Sequence, residues 1–142
     1  MPARVFTAEE LRKRAFLRAA QVLYGHWEEG TGAHSRLFET LIPESGLLLG
    51  TSVEGSGWRE HVVPCAVIRD RCLQLFDQGK SVEDVAAYIE THLKIVIISR
   101  EERARLDFQL GLKSTMPTGW EDGDIMARLR AAGIELRDKE TL

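Results

Sequence analysis

The stretch Lys94-Ile95-Val96-Ile97-Ile98 places the strongest constraint on how this chain folds. It is a short run of β-branched residues bounded by polar ones, and β-branched side chains favour strands over helices. The run therefore predicts a buried strand over residues 95–98. A chain of 142 residues is long enough to bury a continuous core around such a strand, so we expect a single domain over residues 1–142.

Helical periodicity dominates the rest of the sequence. Thr7-Ala8-Glu9-Glu10 reads as a capping box that opens a segment with apolar residues at helical spacing, which predicts a helix over residues 8–24. The glycine-containing stretch after it predicts a loop with at most one short helical turn. Further helices are predicted from Pro64 to Gly79, from Ser81 to Leu93, from Ser99 to Gly111 and from Asp122 to Ala132.

A β-hairpin is predicted in the middle of the chain. Two apolar or β-branched runs flank Glu54-Gly55-Ser56-Gly57, which is typical of two strands joined by a loose glycine turn. The strands are expected over residues 47–53 and 58–63, with residues 95–98 as the third. The predicted fold class is therefore α+β, a mostly helical single domain with a small antiparallel sheet.

Composition narrows the classes of partner and the expected location. The hydrophobic fraction of 44% is ordinary for a globular protein, and no apolar run approaches the length of a membrane span. The first residues, MPARVFTAEELRKR, contain no apolar segment of a secretory signal, so we expect a cytoplasmic protein. A net charge of −3 argues against binding nucleic acid through bulk electrostatics, although a local basic strip is compatible with it.

One motif in the sequence resembles a known family. Glu60-His61-Val62-Val63-Pro64 stands at the end of the predicted hairpin, and an acid-His pair followed by two apolar residues and proline is similar to the first signature of the HNH endonucleases. Their core is a ββα-metal fold, which the resemblance assigns loosely to residues 47–107. The second signature, an Asn or His on the following helix, falls within residues 100–103, where neither residue type is present. The helix at 8–24 and the C-terminal turn and helix at 116–142 have no counterpart in the minimal core.

The resemblance implies a metal-dependent nuclease that hydrolyses DNA phosphodiester bonds. His61 is implied as the general base, because a strand-end histidine with a fixed tautomer can deprotonate water near neutral pH. Glu60, His61 and Glu102 become the candidate ligands of Mg²⁺ or Mn²⁺, which would neutralise the charge that develops on the phosphate. The arginines that flank this site are expected to contact DNA phosphates: Arg69, Arg100 and Arg103.

The same residues have simpler interpretations. Glu102 is also explained by a capping box with Ser99, His61 by a half-buried strand histidine, and Glu60 by a surface ion pair. The arginines equally fit the solvated faces of amphipathic helices. The alternative function is therefore a non-catalytic protein-binding module on a degenerate HNH scaffold, such as a phage or plasmid inhibitor or a component of a defence complex. A third alternative is a subunit that becomes a nuclease only inside a larger assembly.

Overall fold

The computed structural model of the chain describes residues 5–137, which form a mixture of helices and a small sheet. This confirms the predicted combination of α and β structure. A π-helical turn, Arg105–Gln109, follows the fifth helix. In chain order the elements are α1 (Ala8–Glu29), α2 (Leu37–Leu41), β1 (Leu48–Thr51), β2 (Trp58–His61), α3 (Cys65–Asp77), α4 (Val82–His92), β3 (Ile95–Ile98), α5 (Arg100–Ala104) and α6 (Ala127–Ala131).

The described residues divide into two compact units, each made of two segments of the chain. The first unit contains residues 5–43 and Arg69–Glu90, and the second contains Glu44–Ile68 and residues 91–137. The single domain over residues 1–142 stays a prediction. Residues 1–4 and 138–142 of the predicted domain, the latter also part of the predicted C-terminal segment, lie outside the described residues.

The first unit is built on α1, whose N-terminus carries the predicted capping box. The Thr7 hydroxyl accepts a hydrogen bond from the Glu10 amide, and the Glu10 carboxylate accepts one from the Thr7 amide. The predicted end of this helix at residue 24 is wrong, because the helix continues through Gly25 and ends at Gly30, which has a φ of 70°. A glycine inside a helix lowers its stability but does not end it when neighbouring turns are packed.

The core of the first unit is formed by the inner face of α1 together with side chains from the other helices. Ser81 caps α4 as predicted, since its hydroxyl accepts a hydrogen bond from the Asp84 amide at 3.0 Å. Cys72 is buried and is not in a disulfide, and burial raises the pKa of its thiol to about 12. The buried apolar residues of this unit include Ala15, Phe16, Ala19, Ala20, Leu23, Phe38, Cys72, Phe76, Val85 and Ile89.

The sheet lies in the second unit, and its topology differs from the prediction. The strand order is β1-β3-β2, with β1 parallel and β2 antiparallel to β3. The prediction of a hairpin formed by β1 and β2, and of a purely antiparallel sheet, is therefore wrong. The prediction of a buried strand over residues 95–98 is confirmed: β3 is the central strand, which explains why the Ile95-Val96-Ile97-Ile98 run is wholly apolar.

Residues 52–57 connect β1 to β2 across the end of β3. The glycines of this stretch therefore belong to a crossing connection and not to the turn of a hairpin, which is why the hairpin prediction is wrong. The Ser52 amide donates to the Ile97 carbonyl and the Ser56 amide donates to the Ile98 carbonyl. A Cβ on Gly55 would lie 2.5 Å from the Ile97 carbonyl oxygen, so glycine is needed for a close approach rather than for a hairpin turn.

The C-terminal part of the second unit packs beside the sheet. The predicted helix over residues 122–132 is shorter than expected, because Asp122 has a φ of 72° and the chain becomes helical only in α6. The Trp120 indole donates to the Asp124 carbonyl at 2.7 Å, which holds the preceding turn together. Beyond α6, the Val53 amide donates to the Glu135 carbonyl, so this segment lies alongside the chain that follows β1.

Within residues 5–137, none of the helices combines the length and the apolar character needed to cross a membrane. The cytoplasmic location stays a prediction.

Candidate functional site

The strand β2 presents the residues of the EHVVP motif on two different faces. Successive side chains of a strand point to opposite faces, so Trp58 and Glu60 share one face and His61 points to the other. The side chains on the first face contact residues of α5 and α6. On the other face, a ring nitrogen of His61 lies within 4.8 Å of the Cys65 thiol.

Glu60 is held by a buried arginine of α6. The side chain of Arg128 is 1% exposed, and its Nη2 lies 3.5 Å from Oε2 of Glu60, whose side chain is 14% exposed. Arg128 also donates to three backbone carbonyls, from Nη1 to Leu112 at 3.0 Å, from Nε to Val62 at 3.5 Å and from Nη2 to His61. One guanidinium therefore pairs with Glu60 and fixes the backbone of the EHVVP motif at the end of β2.

The electrostatics of this pair follow from its burial. Desolvation raises the pKa of Glu60, and the Arg128 charge opposes that rise. The carboxylate of Asp107 lies near enough to raise the pKa of Glu60 further and to favour the charged form of Arg128. Glu60 and Arg128 thus form an internal ion pair. Removal of either partner would leave the buried charge of the other without compensation.

Glu102 is bonded within the second unit as well. It is the buried end of the capping box of α5: the Ser99 hydroxyl accepts from the Glu102 amide, and Glu102 Oε1 accepts from the Ser99 amide at 2.8 Å. The same oxygen accepts a hydrogen bond from the Ser52 hydroxyl at 2.5 Å. The capping interpretation of Glu102 is therefore confirmed, and Ser52 ties it to the chain after β1.

An open cleft lies on the face of β2 that carries Trp58. It has a volume of about 290 Å³ and is lined by Ser56, Gly57, Trp58, Arg100 and Arg103, and we refer to it as the arginine cleft. The Trp58 side chain is 39% exposed and is not part of the core. The guanidinium carbon of Arg103 stands 3.7 Å from the centre of the Trp58 ring system, a distance typical of cation–π stacking.

The side chain of Arg103 is held by its two neighbours, Trp58 and Asp107. Its Nε lies 3.4 Å from Oδ2 of Asp107, one helical turn further on, whose side chain is 6% exposed. Within residues 5–137 the terminal Nη groups of Arg103 donate no hydrogen bond. Stacking on Trp58 and the ion pair through Nε therefore fix the side chain. The two terminal Nη groups of the guanidinium stay available as hydrogen-bond donors.

Arg100 is the second arginine of the cleft. In the described part of the chain it makes no ion pair and no hydrogen bond, and it is exposed. Arg103 pairs with Asp107, and Glu101 and Glu102 follow Arg100 on α5, so the cleft has no excess of positive charge. Its affinity for an anionic group therefore rests on the donors of Arg100 and Arg103.

The structure brings together some of the predicted site residues and separates others. Arg100 and Arg103 line one cleft, and their contact with DNA phosphates stays a prediction. Arg69 belongs to the first unit, where it pairs with Asp70 at 2.9 Å and donates to the Ala33 carbonyl at 3.3 Å. Among residues 5–137, Glu60, His61 and Glu102 do not form a group whose ligand atoms converge within 4.8 Å.

Sequence reasoning missed the residues that determine what Glu60 and Glu102 do. Arg128 lies in the pattern ARLRA, where it is indistinguishable from a solvated helix arginine. Asp107 carries a partial signal, since it stands four residues after Arg103, the spacing of a helical ion pair. Ser52 carries none, because its contact with Glu102 depends on how the chain crosses β3.

No family model matches the chain, and neither a curated protein nor a solved structure does.

The predicted divalent metal does not fit the carboxylates as they stand. A magnesium or manganese ion needs oxygen ligands that face one point, whereas Glu60 is directed at Arg128 and Glu102 at Ser52 and Ser99. If Glu60 bound an ion instead, the buried guanidinium of Arg128 would lose the charge that compensates it. If Glu102 did so, the cap of α5 would be broken. Metal ligation by Glu60, His61 and Glu102 stays a prediction that requires both networks to rearrange.

Proposed function

We propose that the protein is a non-catalytic protein-binding module that holds an anionic group of its partner in the arginine cleft. One observation carries this proposal: the acids of the expected metal site are bonded to their own chain, while two arginines and a tryptophan line an open cleft. The function corresponds to the alternative drawn from the sequence, a binding module on a degenerate HNH scaffold.

The residue types of the cleft support a protein as the partner. Tryptophan and arginine are enriched among the residues that contribute most to the affinity of protein interfaces. Arg103 is held in place by Trp58 and Asp107, so little side-chain entropy remains to be lost when a ligand binds. The net charge of −3 supports a protein rather than a long nucleic acid, which needs an extended basic surface.

The second candidate is the HNH-like nuclease acting on DNA with Mg²⁺ or Mn²⁺. The observation that favours it is the location of His61 at the last position of β2, where the family resemblance requires the general base. In that case Arg100 and Arg103 would contact the phosphates of DNA. This candidate includes the version that becomes active only inside a larger assembly.

A cleavage assay on supercoiled plasmid separates the two functions. The wild-type chain and His61→Ala are incubated with the plasmid in Mg²⁺, in Mn²⁺ and in chelator, and nicked and linear DNA are measured on gels. We expect the plasmid to stay supercoiled in every lane, because the candidate metal ligands are bonded to Arg128 and to Ser52 and Ser99. Nicking that requires the metal and disappears in His61→Ala would refute the non-catalytic function.

A matched substitution controls for contaminating nucleases. Arg18→Gln changes an exposed arginine of α1, in the first unit, and is purified in the same way as His61→Ala. Nicking that is equal in all three proteins identifies a contaminant, whereas nicking retained by Arg18→Gln and lost by His61→Ala identifies an active site.

A further inference from the structure

We infer that the segment bound by the arginine cleft presents a carboxylate beside a bulky apolar side chain. This inference rests on the proposed function and specifies the chemistry of its partner. Two features of one continuous helical stretch carry it: the exposed guanidinium of Arg100 on α5, which makes no ion pair and no hydrogen bond in the described part of the chain, and the exposed Phe108 of the π-helical turn that follows.

The donors of the cleft fit a carboxylate. Arg100 makes no ion pair and no hydrogen bond in the described part of the chain, and the Nη groups of Arg103 donate none there. An Asp or Glu carboxylate accepts paired hydrogen bonds from a guanidinium. Glu101 and Glu102 follow Arg100 on α5, so these donors, and not an excess of positive charge, recognise the anion.

Two exposed apolar residues follow the charged residues along the chain. Phe108 is 82% exposed and Leu110 is 44% exposed, whereas Leu106 between α5 and Phe108 is buried. The rise of a helix places Phe108 less than about 8 Å along the axis from Arg103. Aromatic side chains are enriched in protein interfaces, so a partner that reaches the cleft can also cover Phe108.

The combination argues for a protein segment rather than for nucleic acid. A single-stranded nucleic acid needs successive cations along its backbone, and the same stretch alternates Arg100 with Glu101, and Arg103 with Asp107. A protein segment needs one anion and one apolar side chain a few residues apart. Burial of Phe108 and pairing of Arg100 then contribute to affinity separately.

Selection from a random peptide display library on the immobilised full chain tests the inference. Selected peptides are synthesised with a fluorophore, and their dissociation constants are measured by fluorescence polarisation. We expect an Asp or Glu within a few positions of a bulky apolar residue. Arg100→Gln is expected to weaken binding by about tenfold to hundredfold, and Phe108→Ser by a similar factor.

Control variants keep the test specific to the cleft. Arg18→Gln and Leu11→Ser alter an exposed arginine and an exposed leucine of α1, in the other unit, and are expected to leave binding unchanged. Circular dichroism and thermal melting confirm that all four variants are folded. Because Arg100 and Phe108 are both exposed, their substitution should leave the melting temperature nearly unchanged.

Several results would overturn the inference. One is a selection in which no peptide is enriched, and another is enrichment of acidic peptides that lack the apolar residue. A third is a dissociation constant that either Arg100→Gln or Phe108→Ser leaves unchanged. A fluorescent single-stranded oligonucleotide that binds through Arg100, or self-association that Arg100→Gln abolishes, would assign a different occupant. None of these results requires plasmid cleavage, so failure here is distinguishable from failure of the non-catalytic function.

Discussion

At the scale of single residues, Arg128 and Glu60 determine how the end of β2 is held. The guanidinium is nearly inaccessible to solvent and meets one carboxylate and three carbonyls, so its charge is well distributed among acceptors. Such a pair is weak evidence of net stabilisation, but the loss of one partner leaves a buried charge without compensation.

We expect Arg128→Met to lower the free energy of unfolding by about 3–5 kcal/mol, because Glu60 and the carbonyls of His61 and Leu112 lose their donor. Arg130→Met is the matched control: it removes the neighbouring arginine, which is exposed and pairs with Asp124 at the surface, and should change stability little. Urea denaturation of the two variants measures the difference. Equal stabilities would show that the Arg128 network is dispensable.

The raised pKa of Glu60 predicts a dependence of stability on pH. The folded state holds the proton of the Glu60 carboxyl more tightly than the unfolded state does. Protonated Glu60 therefore stabilises the folded state below its ordinary pKa of 4.5, and this stabilisation is lost as the pH rises through the folded pKa. The unfolding free energy of wild type minus that of Glu60→Gln should therefore increase as the pH falls through that window. Denaturation curves over a pH series measure it, and a constant or decreasing difference would contradict the assignment.

At the scale of elements, the crossing of β3 by residues 52–57 depends on one glycine. A Cβ at residue 55 would approach the Ile97 carbonyl oxygen, Thr51 Cγ2 at 2.6 Å and Ser52 Oγ at 2.9 Å. All three of these neighbours are tied into the sheet or to Glu102, so the loop has little room to move.

Gly55→Ala should lower the free energy of unfolding by about 1–3 kcal/mol through this overcrowding. Gly32→Ala is the control, since a Cβ there would meet nothing within 4 Å. Thermal melting of the two variants compares them directly. A Gly55→Ala protein as stable as Gly32→Ala would mean that the crossing loop does not approach β3 this closely.

The start of α5 provides a second test, because Glu102 is interpreted as a cap and not as a ligand. Glu102→Ala should cost about 1–3 kcal/mol, since the Ser99 amide and the Ser52 hydroxyl lose their acceptor. Glu102→Gln keeps an acceptor oxygen at the same position and should cost less. Chemical denaturation in chelator separates the variants, and identical losses for both would count against the capping role.

Local signals in the sequence predicted the elements better than their pairing. Capping boxes at Thr7 and Ser99 and the β-branched run at 95–98 each act through neighbouring residues, and all three are present. The order of the strands depends on a long-range choice: β3 inserts between two strands that are adjacent along the chain. Arg100 and Arg103 were recognisable as ligand-binding candidates, whereas the buried role of Arg128 follows only from the position of α6.

At the scale of the whole molecule, the described chain forms two compact units with different characters. The first contains helices packed on α1, and the second contains the sheet, the buried ion pair and the arginine cleft. The acids that the sequence offered for metal chemistry, Glu60 and Glu102, are bonded within the second unit, and Arg100 and Arg103 line the cleft. The proposed function requires that these acids are structural and that the cleft contacts the partner.

The melting temperature in rising concentrations of Mn²⁺ and Mg²⁺ tests this claim most directly, because an ion that binds only the folded state must stabilise it. We predict the same melting temperature with either ion as with chelator, for wild type and for Glu60→Gln alike. A melting temperature that rises with metal concentration in wild type, and no longer does so in Glu60→Gln, would contradict the claim and restore the metal site.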